Sequence, residues 1–267
     1  MPVSAMQIWS CVTLQVCSHR SITGFMQDNP FPQPKPVTDV WRPELTRLAP
    51  LTPARRAFRA FCHRLVKFVV WLLLDVNTEG MENFPADGPA LIVINHLGDS
   101  DVPALFSALP SPADALAKIE LYDLPLLGRL MDWYGLIWLH RGRPDKRALR
   151  AALDGLAEGR VIAIAPEGRY SVTGALEEGS GGAAFLAYKS GAPIVPISLA
   201  GTENERVYGH IKRFRRAPVQ IKVGNMFRLE EQADGRREAM NEGTRRIMQA
   251  LADLLPEKYH GAYSTSE

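Results

Sequence analysis

His96 and Asp101 stand five positions apart in Ala90-Leu91-Ile92-Val93-Ile94-Asn95-His96-Leu97-Gly98-Asp99-Ser100-Asp101, just where an apolar run stops. A neutral imidazole can take up a proton near neutral pH, and a carboxylate on its other ring nitrogen fixes the tautomer and stabilises the imidazolium that forms. The pair reads as a general base and its orienter. The nucleophile that would complete a triad is missing, since the chain has no Gly-x-Ser-x-Gly turn and Cys11, Cys17 and Cys62 all lie away from His96 in sequence. The hydroxyl to be activated is therefore expected on the substrate, and the chemistry is group transfer to an alcohol. The plainer alternative is a structural histidine after a strand, with Asp101 capping the helix ahead of Pro103.

Two further polar clusters follow apolar runs. Gly135-Leu136-Ile137-Trp138-Leu139-His140-Arg141-Gly142-Arg143 ends in guanidinium groups, whose planar forks suit phosphate. Ala165-Pro166-Glu167-Gly168-Arg169-Tyr170-Ser171 offers a carboxylate and a guanidinium around a glycine, an arrangement suited to a hydroxyl and a phosphate with close backbone approach. Each also reads as a solvated loop, the first ahead of a helix start at Asp145 and the second as a turn with a local ion pair. The basic stretch Arg206, His210, Lys212, Arg213, Arg215 and Arg216, interleaved with Tyr208 and Phe214, reads as a solvated loop or as a surface for anionic headgroups or coenzyme phosphates.

The elements that must position these residues alternate. Val76 to Gly80 is extended, Leu91 to Ile94 a buried strand, Val102 to Leu109 a helix, Leu136 to Leu139 a short strand and Asp145 to Glu158 a helix. Val161 to Ala165 is a buried strand, Gly182 to Ser190 a helix and Ile194 to Leu199 a strand whose flanking prolines suggest a sheet edge. The sum is an α/β sheet domain, and the polar clusters fall just beyond strand ends, where such sheets form their functional crevice.

Ahead of this domain, Met1 to Phe25 shows no signal-peptide pattern and is expected to be poorly ordered, and the proline-alternating stretch Asn29 to Pro36 is expected to be a spacer within a linker segment 1–50. Thr52 and Pro53 then open a long helix, within an amphipathic segment 51–76, that runs to about Leu74, basic at its start and apolar from Phe68 to Leu74. An apolar run this short cannot cross a bilayer, which takes ~20 residues. It suits either attachment to a membrane surface or packing on the domain core. A domain over 77–256 and a tail over 257–267 complete the expected organisation.

With 46% hydrophobic and 22% charged residues the chain is globular, and a net charge of +2 is too balanced for a general nucleic-acid binder. Three cysteines without Cys-x-x-Cys spacing suggest neither a disulfide framework nor a zinc site, so a reducing cytosol fits. A metal-dependent hydrolase using His96, Asp99, Asp101 and Glu167 would have a single clustered histidine among hard carboxylates, and no metal site is assigned.

Taken in order, the blocks resemble the glycerophospholipid acyltransferase family of the lysophosphatidic acid acyltransferase type. The likeness spans Thr78 to Leu229 and rests on Gly80 to Pro85, the Asn-His-x-x-x-x-Asp block at Asn95 to Asp101, Gly135 to Arg141, Pro166 to Gly168 and Val195 to Ile197. The resemblance implies one mixed sheet flanked by helices and an amphipathic helix that associates with the cytoplasmic face of the cell membrane. It implies His96 as general base and Asp101 as orienter, with Asn95, Arg141, Glu167, Gly168 and Arg169 as substrate contacts. The implied reaction moves an acyl chain from acyl-CoA or acyl-carrier protein, as co-substrate with no bound cofactor, to a lysophospholipid, 1-acylglycerol-3-phosphate first. A different lipid or glycolipid alcohol is the alternative acceptor, and a non-catalytic peripheral membrane protein the non-enzymatic one. Two positions depart from the pattern: Gly98 stands where the family often has Ser, and Arg169-Tyr170 where it usually has Thr-Arg.

Overall fold

The computed structural model describes residues 35–142, 144–230 and 236–264. The expectations for Met1 to Phe25 and for most of the proline-rich stretch lie outside these residues. Seven strands, β1 (Leu74–Glu79), β2 (Ala90–Ile94), β3 (Asp114–Lys118), β4 (Ile137–Leu139), β5 (Val161–Ile164), β6 (Ile194–Ala200) and β7 (Ala217–Val223), form one sheet in the order β1-β7-β6-β2-β5-β3-β4. β2 to β6 run parallel; β7 is antiparallel to β6, and β1 is parallel to β7. The sheet is flanked by helices α1 (Pro53–Leu73), α2 (Asp101–Ala108), α3 (Leu127–Tyr134), α4 (Lys146–Ala157), α5 (Gly182–Ser190), α6 (Asn204–Ile211) and α7 (Arg236–Ala252).

β2 is buried at every position, which is why its sequence is a continuous apolar run rather than an alternation. Leu91 and Val93 pack with residues of α4, α5 and α7; Ala90, Ile92 and Ile94 face the other way, toward α1 and α2. Each fully buried Leu, Ile or Val here contributes about 1.5–3 kcal/mol. The chain leaves β2 into α2 on one face and β5 into α5 on the opposite face, although β2 and β5 are neighbours. Such a divergence opens a crevice beyond the carboxyl ends of the two strands.

α1 starts as its sequence dictates: the Thr52 hydroxyl accepts from the Arg55 amide, and Pro53 fills the first turn. One side packs inward through Val70 and Arg59. The buried Arg59 guanidinium pairs with Asp114 at the start of β3, donates to the Pro112 carbonyl and lies 4.7 Å from the Tyr134 ring centroid. The opposite side leaves Phe61, Leu65, Phe68 and Leu72 exposed, a stripe at helical spacing. No helix among the described residues is long and apolar enough to cross a membrane.

Two expectations are corrected, and two segments outside the expected domain pack on it. β6 is central, not an edge: Ile194 bonds to Phe227 in both directions, Pro196 O accepts from Gly224, and pairing with β7 begins only at Ile197–Val223, so the proline lacks its N–H where the regular ladder has not started. Residues 35–50 are not a free linker, because Lys35 Nζ donates to Glu178 O, the Thr38 amide to Arg141 O and the Arg42 amide to His140 Nε2. The tail also packs: Leu176 accepts from Ala262 and donates to Tyr259, which is buried. Lastly, the basic stretch is α6 and its C-terminal turn. There the Phe214 amide bonds Ile211 O and the Arg215 amide bonds His210 O, a closing motif whose left-handed position usually holds glycine but here holds Phe214, with φ 53°.

Candidate functional site

The carboxyl ends of β2 to β6 share one edge, and His96 lies there, two residues past Ile94. Its Nδ1 donates to Asp101 Oδ2 at 2.7 Å, and the same oxygen accepts from the amides of Leu97 at 2.6 Å and Gly98 at 2.8 Å. Asp101 is the first residue of α2 and fully buried, so it points back into the loop instead of capping its helix. Its other oxygen, Oδ1, is buried with no partner among the described residues. This arrangement fixes the Nδ1–H tautomer and leaves a negative charge to stabilise an imidazolium. The His96 side chain is 19% exposed, and its Nε2 has no hydrogen-bond partner among the described residues. Base and orienter are thus brought together as their spacing implied.

Glu167, beyond β5, is fully buried: Oε1 accepts from the His96 amide at 3.0 Å and Oε2 from the Glu177 amide at 2.9 Å. Burial pushes its carboxyl up to about 7 despite those two bonds. Gly168 follows at φ 73° with open space where a Cβ would stand, so the turn needs its conformational freedom and not its small size. Arg169 is tied to Glu177 at 2.6 Å. Asn95, expected as a substrate contact, instead has both ends of its carboxamide on the Leu199 backbone at 2.8 Å and is 1% exposed, so it joins β2 to β6. Glu167 is likewise committed to backbone amides, which makes it a clamp behind His96.

Both departures from the family pattern meet beside His96. The Tyr170 ring lies edge-on to the imidazole with centroids 4.2 Å apart. Its hydroxyl donates to Asp99 Oδ1 and the Tyr208 hydroxyl to Asp99 Oδ2, each at 2.8 Å, while the Asp99 amide donates to Asn204 Oδ1. A Cβ on Gly98 would stand 2.5 Å from Thr202 O and 2.6 Å from Asn204 Oδ1, so a serine cannot enter without moving α6. Burial, then the Asp99 carboxylate, pushes the Tyr170 phenol well above its ordinary range; burial and the bond to Asp99 push Tyr208 up to about 12.

The cations gather across the site. Arg141, past β4, donates from Nη2 to Glu120 at 3.0 Å, while its Nε is buried without a partner among the described residues. Sequence reasoning missed Lys118, at the end of β3, because the strand Asp114-Ala115-Leu116-Ala117-Lys118 carries little apolar bulk. Its Nζ lies 5.4 Å from the Tyr170 ring centroid, and burial, followed by the charge of Arg141, lowers its pKa. Together these groups set a proton acceptor, a carboxylate behind it and two cations around one strand edge.

Comparison with known proteins bears on the family and the fold. The acyltransferase family model matches residues 75–200. A chloroplastic 1-acyl-sn-glycerol-3-phosphate acyltransferase of Arabidopsis thaliana is 32% identical over 154 residues, 56% of this chain and 43% of that protein. A 1-acyl-sn-glycerol-3-phosphate acyltransferase of Chlamydomonas reinhardtii is 30% identical, over 68% of this chain and 54% of its own. The match spans about half the length of these curated relatives. The crystal structure of the 1-acyl-sn-glycerophosphate acyltransferase PlsC from Thermotoga maritima superposes with a TM-score of 0.56 at 24% identity, over 76% of this chain and 84% of that one, and shows the same fold. Residues 75–200, just under half of the chain, thus match the acyltransferase family.

Proposed function

We propose that the protein transfers an acyl group from a thioester, acyl-CoA or acyl-carrier protein, to the free hydroxyl of a lysophospholipid, with 1-acylglycerol-3-phosphate as acceptor. The observation that carries this reading is the His96 imidazole, held through Nδ1 by Asp101 with Nε2 unpartnered at the strand edge. Nε2 removes the hydroxyl proton as the oxygen attacks the thioester carbonyl. The tetrahedral intermediate then collapses, the carbon–sulfur bond breaks, and the leaving thiolate takes the proton back from the imidazolium. No acyl-enzyme is needed. Lys118 and Arg141 are the cations placed to receive the acceptor phosphate, and the names of the relatives support that acceptor.

A second acceptor class is favoured by a specific observation. Arg169 is engaged by Glu177, and the group against His96 is a phenol on a carboxylate, which suits an uncharged lipid alcohol. We further propose attachment to the cytoplasmic face of a membrane through the exposed stripe of α1, a placement supported by its flanking cations. The test is incubation of the full chain with a panel of acyl-CoA and acyl-carrier-protein donors and lysolipid or other lipid-alcohol acceptors, read by mass spectrometry. Diacylglycerol phosphate formation from 1-acylglycerol-3-phosphate, lost in His96→Ala, is expected. Acylation of uncharged alcohols alone would move the assignment to the second class, and no product from any pairing would overturn both.

A further inference from the structure

Among the described residues two non-glycine positions have positive φ, Leu126 at 64° and Phe214 at 53°, and both side chains are thrust into solvent, 70% and 101% exposed. Leu126 is the centre of a three-residue turn closed by the Leu127 amide on Pro125 O at 2.7 Å, a strained geometry with ψ at −53°. Phe214 takes the glycine position in the closing turn of α6. Each conformation costs backbone stability, and neither side chain recovers it by packing within the chain.

The topology puts both at one edge of the sheet. The chain leaves the carboxyl end of β3 through Ile119–Asp123 to reach Leu126. β7 and β1 run against β6, so their first residues lie at its carboxyl end: Ala200 pairs with Gln220, and Ala217, which pairs with Leu74, stands beyond that rung. The turn at Phe214 and the apolar end of α1 therefore share the edge occupied by His96, and Arg216 ties them by donating to Leu74 O. α3 extends the apolar surface from Leu126 to the exposed Trp133, whose ring meets Phe58 of α1 at 4.2 Å.

We infer that Leu126 and Phe214 are two wedges by which the protein seats this edge in an anionic lipid bilayer, one on each side of the α1 stripe. The charge pattern selects that occupant. Lys212, Arg213, Arg215 and Arg216 surround Phe214, and neither α1 nor the stretch from His210 to Val223 contains an acidic residue. Asp75, just past α1, is paired with Arg216, and Asp123, three residues before Leu126, with Arg42, so apolar tips in this net basic setting match anionic headgroups over an acyl layer. Seated this way, a lipid acceptor reaches His96 along the bilayer surface. The inference rests on the acyl-transfer reading only in taking the substrate to be a lipid.

The experiment is flotation of the full chain with vesicles of phosphatidylcholine alone and of phosphatidylcholine mixed with phosphatidylglycerol, comparing wild type with Leu126→Gly, Phe214→Gly and the double variant. Glycine relieves the left-handed strain, so the thermal midpoint is expected to stay or rise while affinity for the anionic vesicles falls about tenfold or more in the double variant. Undiminished vesicle binding by the double variant would overturn the inference, as would a wild type that ignores anionic vesicles because residues 1–34 or a second copy cover the surface. Acyl transfer to a water-soluble short-chain acceptor is measured alongside. Its absence in wild type would defeat the acyl-transfer reading and leave the vesicle result standing.

Discussion

His96–Asp101 and His140–Asp145 have the same spacing, the same strand-end position and the same 2.7 Å contact from Nδ1 to a carboxylate, yet their surroundings use the two imidazoles differently. His140 is 2% exposed, and its Nε2 accepts from the Arg42 amide at 3.0 Å. Its partner Asp145 takes the His140 amide on Oδ2 and the Arg147 and Ala148 amides on Oδ1, which caps α4. Every ring nitrogen and carboxylate oxygen of that pair is occupied. In the first pair Nε2 and Asp101 Oδ1 are left over among the described residues. The spacing is thus a property of a strand–loop–helix path that folds an aspartate back onto a histidine, and chemistry enters only where the far nitrogen is spared.

The widest break between the pairs is expected from alanine. His96→Ala should lower acyl transfer by about 10²- to 10⁴-fold, the usual worth of a general base, with little change in thermal midpoint because the side chain is partly exposed and bonds only to Asp101. His140→Ala should do the reverse. It removes one of the bonds to the buried Asp145 carboxylate, strands the Arg42 amide and empties the space beside Trp41, for a loss of about 2–4 kcal/mol measured by denaturant unfolding, with turnover per folded molecule kept. Equal losses of activity in both variants would erase the distinction.

A smaller difference lies in how each histidine's backbone is held. The His140 amide donates to its own aspartate, whereas the His96 amide donates to Glu167. Burial raises the Glu167 carboxyl from 4.5 to about 7, so between those values the folded chain holds more of a proton than the unfolded one. Its contribution to stability is then complete below the lower value and lost as pH rises through the upper one. Glu167→Gln cannot titrate, so thermal midpoints recorded from about pH 4 to about pH 8 should decline less steeply for the variant than for wild type. Parallel curves would mean that Glu167 stays ionised on folding.

The sequence reading separates along the same physical line. β2, β5 and α5 were legible because burial on both faces demands unbroken apolar runs, and His96 with Asp101 stood out because the run ends on them. β3 was not, since alanines pack there without marking a period, and with it went Lys118. α6 read as loop because it is short, held mainly through Val207, and followed at once by the cations Lys212, Arg213, Arg215 and Arg216. The twin pair at His140 has the same spacing in the sequence, so spacing alone does not separate a base from a structural histidine. Whether Nε2 is free depends on Arg42, nearly a hundred residues away in sequence.

The finest contrast concerns the aromatic ring beside each imidazole, Tyr170 at 4.2 Å from His96 and Trp41 at 4.5 Å from His140. Trp41 packs on a histidine that does not move protons, so its role is burial. Tyr170 touches the base itself, and its hydroxyl pins it to Asp99. Tyr170→Phe keeps the ring and removes one bond, while Asp99 keeps its contacts to Tyr208 and Asn204. The expected loss is about 1 kcal/mol, a fewfold fall in kcat with acceptor KM nearly unchanged, because a positioning residue acts through His96 and does not hold the substrate. Tyr170→Ala should fall further on kcat. If instead KM for the acceptor rises in the phenylalanine variant, the phenol binds substrate directly, and the resemblance between the two aromatic neighbours ends at their distance from the ring.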